Sequence, residues 1–263
     1  MTTSVRDLQE RSLGATMRSD AWWIQPVLTA IVLGSFGIYA TWAAWVNQFY
    51  EWGPYLSPFY SPLIETSWWP LSPAFLILIF PGAFRATCYY YRKAYYRAFF
   101  LDPAACAVGE PRHGYKGETK FPFILQNLHR YAMYAAVVFI FILSYDVYVA
   151  TRWPVHGVLP DGSMLAGPTE FGVGVGTLVM LVNVVLLACY TFGCHSIRHL
   201  IGGQVDCYSC VRGGRARYEA WRGVSFLNRR HQLFAWCSLF SVALTDVYIR
   251  LCAMGVIYDV RIW

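Results

Sequence analysis

The sequence predicts an all-α membrane protein, a bundle of five transmembrane helices with its N-terminus in the cytoplasm. Three observations carry this. Of 263 residues, 57% are hydrophobic and only 14% charged, against about a quarter charged in an ordinary soluble domain. Five long runs are almost free of charge. The basic residues collect in the connections on one side of those runs.

Each run reaches the roughly 20 apolar residues that a bilayer-crossing helix needs. The first, within residues 21–50, holds no Asp, Glu, Lys or Arg and gives a span over about 21–49. The second, 66–84, contains Pro81 and is expected to continue as helix past Arg85 into Tyr89-Tyr90-Tyr91, giving a span of 70–98. The third, 131–151, is broken only by Asp146 and extends to 122–151. The fourth, 171–197, opens on FGVGVG, small residues that suit close helix packing, and extends to 171–200. The fifth, 231–250, has Asp246 near its far end and extends to 225–255. Together they form a single membrane-anchor domain over 1–263.

Cytoplasmic loops are enriched in Lys and Arg. Arg6, Arg11 and Arg18, then Arg85, Arg92, Lys93, Arg97, Arg112, Lys116 and Lys120, then Arg130, Arg198, Arg212, Arg215, Arg217, Arg222, Arg229 and Arg230 lie on one side. These are 18 of the 21 basic residues, leaving Arg152, Arg250 and Arg261 for the other. The N-terminus is therefore expected inside and the C-terminus outside, in a bacterial inner membrane. The first twenty residues lack the apolar core of a cleaved signal peptide. The formal charge of +6 is the ordinary basic excess of an inner-membrane protein, so lipid is expected as a partner and nucleic acid is not. Eleven Trp, 19 Tyr and 17 Phe supply interfacial aromatic belts.

Eight cysteines do not suggest a disulfide framework. Cys88, Cys189, Cys237 and Cys252 fall within apolar runs and read as small buried hydrophobes. A faint echo pairs Tyr-Asp-Val-Tyr at 145–148 with Thr-Asp-Val-Tyr at 245–248. Asp146 and Asp246 are expected near the outer interface, Asp246 pairing with Arg250 one turn on, with no part in electron flow.

The chemistry-bearing stretch is Cys194-His195-Ser-Ile-Arg-His199, then Gly202-Gly203, then Cys207-Tyr-Ser-Cys210. Residues four apart on a helix share a face, so His195 and His199 both reach one ion. The glycines end that helix, and Cys207 and Cys210 on the returning loop add two thiolates. Three readings compete: a closed Cys₂His₂ zinc site, a Rieske-like [2Fe–2S] centre with two Cys on one iron and two His on the other, and an uncoordinated set. Soluble Rieske proteins draw one Cys and one His from each of two loops, unlike the order here, so Cys194 or His231 could replace one of the four. His129 and His231 stand at the starts of other spans, where ionisable groups read as functional. They suit axial ligation of haem b. Alternatively, His129 and Arg130, with Arg85 opposite, form a polar pocket for a quinone carbonyl.

The segments SPFYSPLI (57–64), PGAFRATCYYYRKAYY (81–96), DPAACAVGEP (102–111), LQNLHRYAMY (125–134) and YTFGCHSIRHLIGG (190–203) resemble the five-helix, cytochrome b-type membrane anchor of bacterial succinate dehydrogenase. The likeness runs over most of the chain from about residue 20. It implies a respiratory complex with a flavoprotein subunit that oxidises succinate and an iron–sulfur subunit that passes electrons inward, with room for a small accessory membrane subunit. The anchor itself oxidises no succinate. It also implies a membrane-embedded Rieske-type [2Fe–2S] cluster on His195, His199, Cys207 and Cys210 near the cytoplasmic face. Menaquinone or another quinone would be reduced nearby, for which charge and depth nominate Arg85, His129, Arg130 and His231.

Overall fold

A computed structural model describes residues 13–111, 119–121, 123–159, 162–164 and 167–263. Arg6, Arg11, Arg112 and Lys116 of the basic set, and residue 122 of the third expected span, lie outside the described residues. The helices in chain order are α1 (Ile24–Val46), α2 (Pro73–Thr87), α3 (Tyr89–Tyr95), α4 (His129–Val149), α5 (Val175–Phe192), α6 (His195–Gly202), α7 (Gly214–Asn228) and α8 (His231–Ala253). A π-helical turn, Tyr96–Phe100, continues α3, and a 3-10 turn, Phe123–Leu128, leads into α4. Among the described residues four helical segments are long and apolar enough to cross a membrane: α1, Phe123–Val149, α5 and α8. The pair Pro73–Thr87 and Tyr89–Phe100 makes a fifth only if its two pieces count as one span.

Three of the expected spans are interrupted, the fifth, 225–255, by the turn at Arg229-Arg230 that separates α7 from α8. The second breaks at Cys88, whose backbone is extended (φ −67°, ψ 132°) and whose side chain is buried. The chain beyond it, Tyr-Tyr-Tyr-Arg-Lys, is poorly soluble in hydrocarbon. Pro81 lies inside α2, where its missing N–H removes one ladder bond. The fourth span starts later and stops earlier than 171–200. Thr169–Phe171 forms a strand instead of helix. At the other end Gly193 and Cys194 separate α5 from α6: Cys194 is extended (φ −63°, ψ 141°), and its sulfur accepts the Ser196 N–H at 3.4 Å.

The chain divides into two compact units, Met1–Thr41 with Arg85–His129, and Trp42–Phe84 with Arg130–Trp263. In the first, a strap runs against the loop after the π turn. Gly14 N–H reaches Gly109 O at 3.1 Å, Gly109 N–H reaches Ala15 O at 2.8 Å, and Thr16 Oγ1 reaches Ala107 O at 2.7 Å. Arg18 Nη1 bonds Cys106 O at 3.0 Å, while Asp20, ion-paired with Arg18, has its carboxyl held below the usual range by that guanidinium.

In the second unit α5 and α8 pack along one another, and Ala235 and Ser238 of α8 are buried, small residues allowing close approach. At the Trp-rich end two short hairpins close the bundle, β1 (Glu51–Trp52) on β2 (Tyr55–Leu56) and β3 (Arg152–Pro154) on β4 (Thr169–Phe171). Trp52, Tyr55 and Trp153 form an aromatic core with Met180, Ile249 and Cys252. Burial and the Asp259 carboxylate, which accepts the Tyr55 hydroxyl at 2.5 Å, both push that phenol's pKa up.

The Asp-Val-Tyr echo has a physical meaning here. Ser57 donates to Asp246 and Ser61 donates to Asp146, so both carboxylates hold one loop, Ser-Pro-Phe-Tyr-Ser at 57–61. Asp246 is fully buried and pairs with Arg250 Nε at 2.8 Å. Arg250 continues to Gln48 O at 2.7 Å and to Ala43 O at 2.9 Å, and lies over the Trp42 ring at 5.6 Å. Ala43 sits in the last turn of α1, where carbonyls lack helical partners and a cation is favoured. Removing one partner of a buried ion pair costs about 3–5 kcal/mol. Asp246→Ala is therefore expected to lower the melting temperature of the solubilised protein strongly, and Asp146→Ala to lower it less. Equal melting points for the two variants and wild type would contradict this arrangement.

Candidate functional site

The site sits where α5, α6, α7 and the start of α8 meet. His195 and His199 lie one turn apart on α6, His195 exposed and His199 half-buried. Gly202 is the last residue of α6, and the Gly203 N–H closes the helix on His199 O at 2.8 Å. These glycines are sterically required. A Cβ at Gly203 would lie 2.5 Å from the His199 ring, and one at Gly202 would lie 2.3 Å from both Tyr208 and Trp221. The chain turns back through a 3-10 turn, Tyr208–Cys210. Tyr208 packs against Tyr218 and Trp221 of α7 with ring centroids 5.4 and 6.3 Å apart.

The turn does not offer two thiolates. Cys207 and Cys210 are joined to one another as a disulfide, with Cα atoms 5.3 Å apart, which corrects the expectation that no disulfide forms. His199 Nδ1 instead meets Arg130 Nη2 at 3.0 Å. Among the described residues no three or more His, Cys, Asp or Glu side chains converge as metal ligands would. Two imidazoles and two sulfurs are the right donors for a Rieske-type centre, but bonded sulfurs and an imidazole engaged by a guanidinium do not fit one as arranged here. Cys194, the spare sulfur, is buried and occupied as the cap of α6.

The quinone candidates divide between the two units. In the first, His129 Nδ1 shares a hydrogen bond with Thr87 Oγ1 at 2.9 Å, and Arg85 donates to the hydroxyl of buried Tyr91, lying 5.4 Å over its ring. In the second, Arg130 is exposed and joined to His199, while His231 is buried and stacks flat on Tyr190 at 4.8 Å. That stacking covers a face of the ring, and Gly193 leaves space for it, since a Cβ there would stand 3.3 Å from His231 Nδ1. Sequence reasoning missed Thr87, Tyr91 and Tyr190. Thr87 and Tyr91 flank the Cys88 break, but uncharged residues in an aromatic-rich stretch carry no pattern that singles them out.

Apolar helices of bilayer length with guanidinium and imidazole groups gathered at their ends define a helical membrane protein with a basic rim. Residues 24–255 match the family described as actinobacterial succinate dehydrogenase subunit SdhC, and the chain belongs to that family. Among solved structures the chain is similar to one from the Mycobacterium smegmatis Sdh1 complex in the apo form, at 44% identity and a TM-score of 0.80, covering 93% of this chain and 92% of that one. No curated protein sequence matches. The likeness read from the sequence thus holds for the membrane subunit of succinate dehydrogenase.

The disulfide has a direct readout. Thiol titration of the denatured, unreduced chain is expected to find six free cysteines of the eight. Eight free thiols, with iron and acid-labile sulfide released on unfolding, would restore Cys207 and Cys210 as cluster ligands.

Proposed function

We propose that this chain anchors a succinate dehydrogenase in the bacterial inner membrane and is where its electrons reach a membrane quinone, menaquinone in the first instance. The observation that carries this is the family match over residues 24–255. The flavoprotein subunit oxidises succinate, and the iron–sulfur subunit docks on the arginine-rich, cytoplasmic rim. A cation-rich face favours an approaching anionic surface.

At that rim the chain's own residues bind and orient the quinone and supply protons. Thr87 fixes the imidazole of His129, and that imidazole serves as proton donor to a reduced quinone oxygen. In the second unit Arg130 holds His199 of α6 at 3.0 Å. His195, His199, Cys207 and Cys210 carry the donor types of a [2Fe–2S] cluster, but with Cys207 and Cys210 bonded to each other no electron step is assigned to one. The haem b alternative gains nothing from His231, whose ring packs against Tyr190.

Two measurements test the reading. Affinity purification of the full chain is expected to bring down a flavin-containing subunit and an iron–sulfur subunit; their absence would refute it. In the purified complex His129→Ala is expected to lower succinate:quinone reductase activity by about a hundredfold, the usual contribution of a positioned acid. Succinate oxidation by an artificial dye should remain near wild type. Equal loss of both activities would make His129 a structural residue.

A further inference from the structure

Beside the His/Cys turn, α7 and Arg198 of α6 line an open cavity of about 770 Å³. Its walls carry three guanidiniums, Arg198, Arg222 and Arg229, against one carboxylate, Glu219, together with Trp221 and Phe226. Arg198 is fixed in the wall, its Nε on Ser225 Oγ at 3.0 Å and its guanidinium 5.1 Å over the Trp221 ring. Arg222 grips Glu219 through both carboxylate oxygens at 3.0 and 3.2 Å. Both partners of that pair are more than half exposed, at 59% and 55%, so it is weak and readily exchanged. Arg229 lies 5.9 Å over Phe226, whose ring is half exposed.

The cavity's height is set by Asn228, whose side-chain amide bonds Gly193 O at 2.8 Å just past the end of α5. It therefore opens at the rim where one span ends and α8 begins. An excess of two positive charges suits neither a neutral quinone ring nor an apolar tail. Guanidiniums bind phosphate oxygens bidentately, an indole and a phenyl ring at the rim lie where acyl chains leave the headgroup, and basic pockets at cytoplasmic helix ends take anionic headgroups. We infer that this cavity is a binding site for the headgroup of an anionic phospholipid, with Arg222 and Arg229 on its phosphate oxygens and Trp221 and Phe226 against the start of its chains. The two-phosphate headgroup of diphosphatidylglycerol matches the charge excess best. Glu219 exchanges Arg222 for solvent when the lipid binds.

The test labels arginines with phenylglyoxal on the full chain in nanodiscs and reads each site by mass spectrometry. Replacing part of the phosphatidylcholine by diphosphatidylglycerol is expected to slow labelling of Arg222 and Arg229 about thirtyfold, the scale set by lipid attraction to two basic residues. Arg212 and Arg215, exposed and outside the cavity, should change far less. Equal protection of all four would show general surface attraction and overturn the site. Protection by inorganic phosphate alone, matching that by the lipid, would assign it to free phosphate. Protection that appears only when the partner subunits are present, and not with anionic lipid, would assign the surface to protein docking.

Discussion

Burying Arg250 is the constraint around which the Trp-rich end of the second unit is built. A guanidinium removed from water is costly unless its charge and its donors are all met. Asp246 supplies the charge, and the carbonyls of Ala43 and Gln48 each take a further donor. The same network ties down the end of α1, which otherwise leaves unpaired carbonyls in an apolar setting. Tyr60 adds a second donor to Ala43 O at 2.9 Å, and Ser57 holds Asp246 in place. The end of α1, the loop at 57–60 and the far end of α8 are thereby fixed to one point, near the Trp52–Tyr55–Trp153 core.

The arginine-rich end of that unit is built differently. It relies on glycines that permit close approach and on cations laid over aromatic rings, such as Arg198 over Trp221 and Arg230 over Phe226 at 4.7 Å. Such contacts are each modest and partly solvated. One end is locked by buried charge, while the other presents accessible charge. That asymmetry suits a membrane protein whose chemistry lies at one rim.

Much of this was legible from residue patterns. The apolar runs located α1, α4, α5 and α8, because a bilayer imposes length and polarity limits that few soluble helices meet. The i,i+4 placement of His195 and His199 and the helix stop at Gly202-Gly203 followed from helix geometry, as did the Asp246–Arg250 pair. The breaks at Cys88 and Gly193 were not legible, since hydropathy does not register a single extended residue. Nor was the link between the Asp-Val-Tyr echo and Ser57 and Ser61, a contact over 85 and 189 residues of chain. Local ligand spacing suggested four donors around a cluster. It could not reveal that the two sulfurs lie close enough to bond each other, or that Arg130, 69 residues away, reaches His199.

The central claim is that succinate-derived electrons enter the membrane through this chain. Its most direct test compares membranes from cells with and without the chain for succinate-dependent quinone reduction and for retention of the flavoprotein. The account predicts that deletion abolishes quinone reduction and releases dye-linked succinate oxidation into the soluble fraction. Undiminished quinone reduction, with the flavoprotein still membrane-bound, would contradict it.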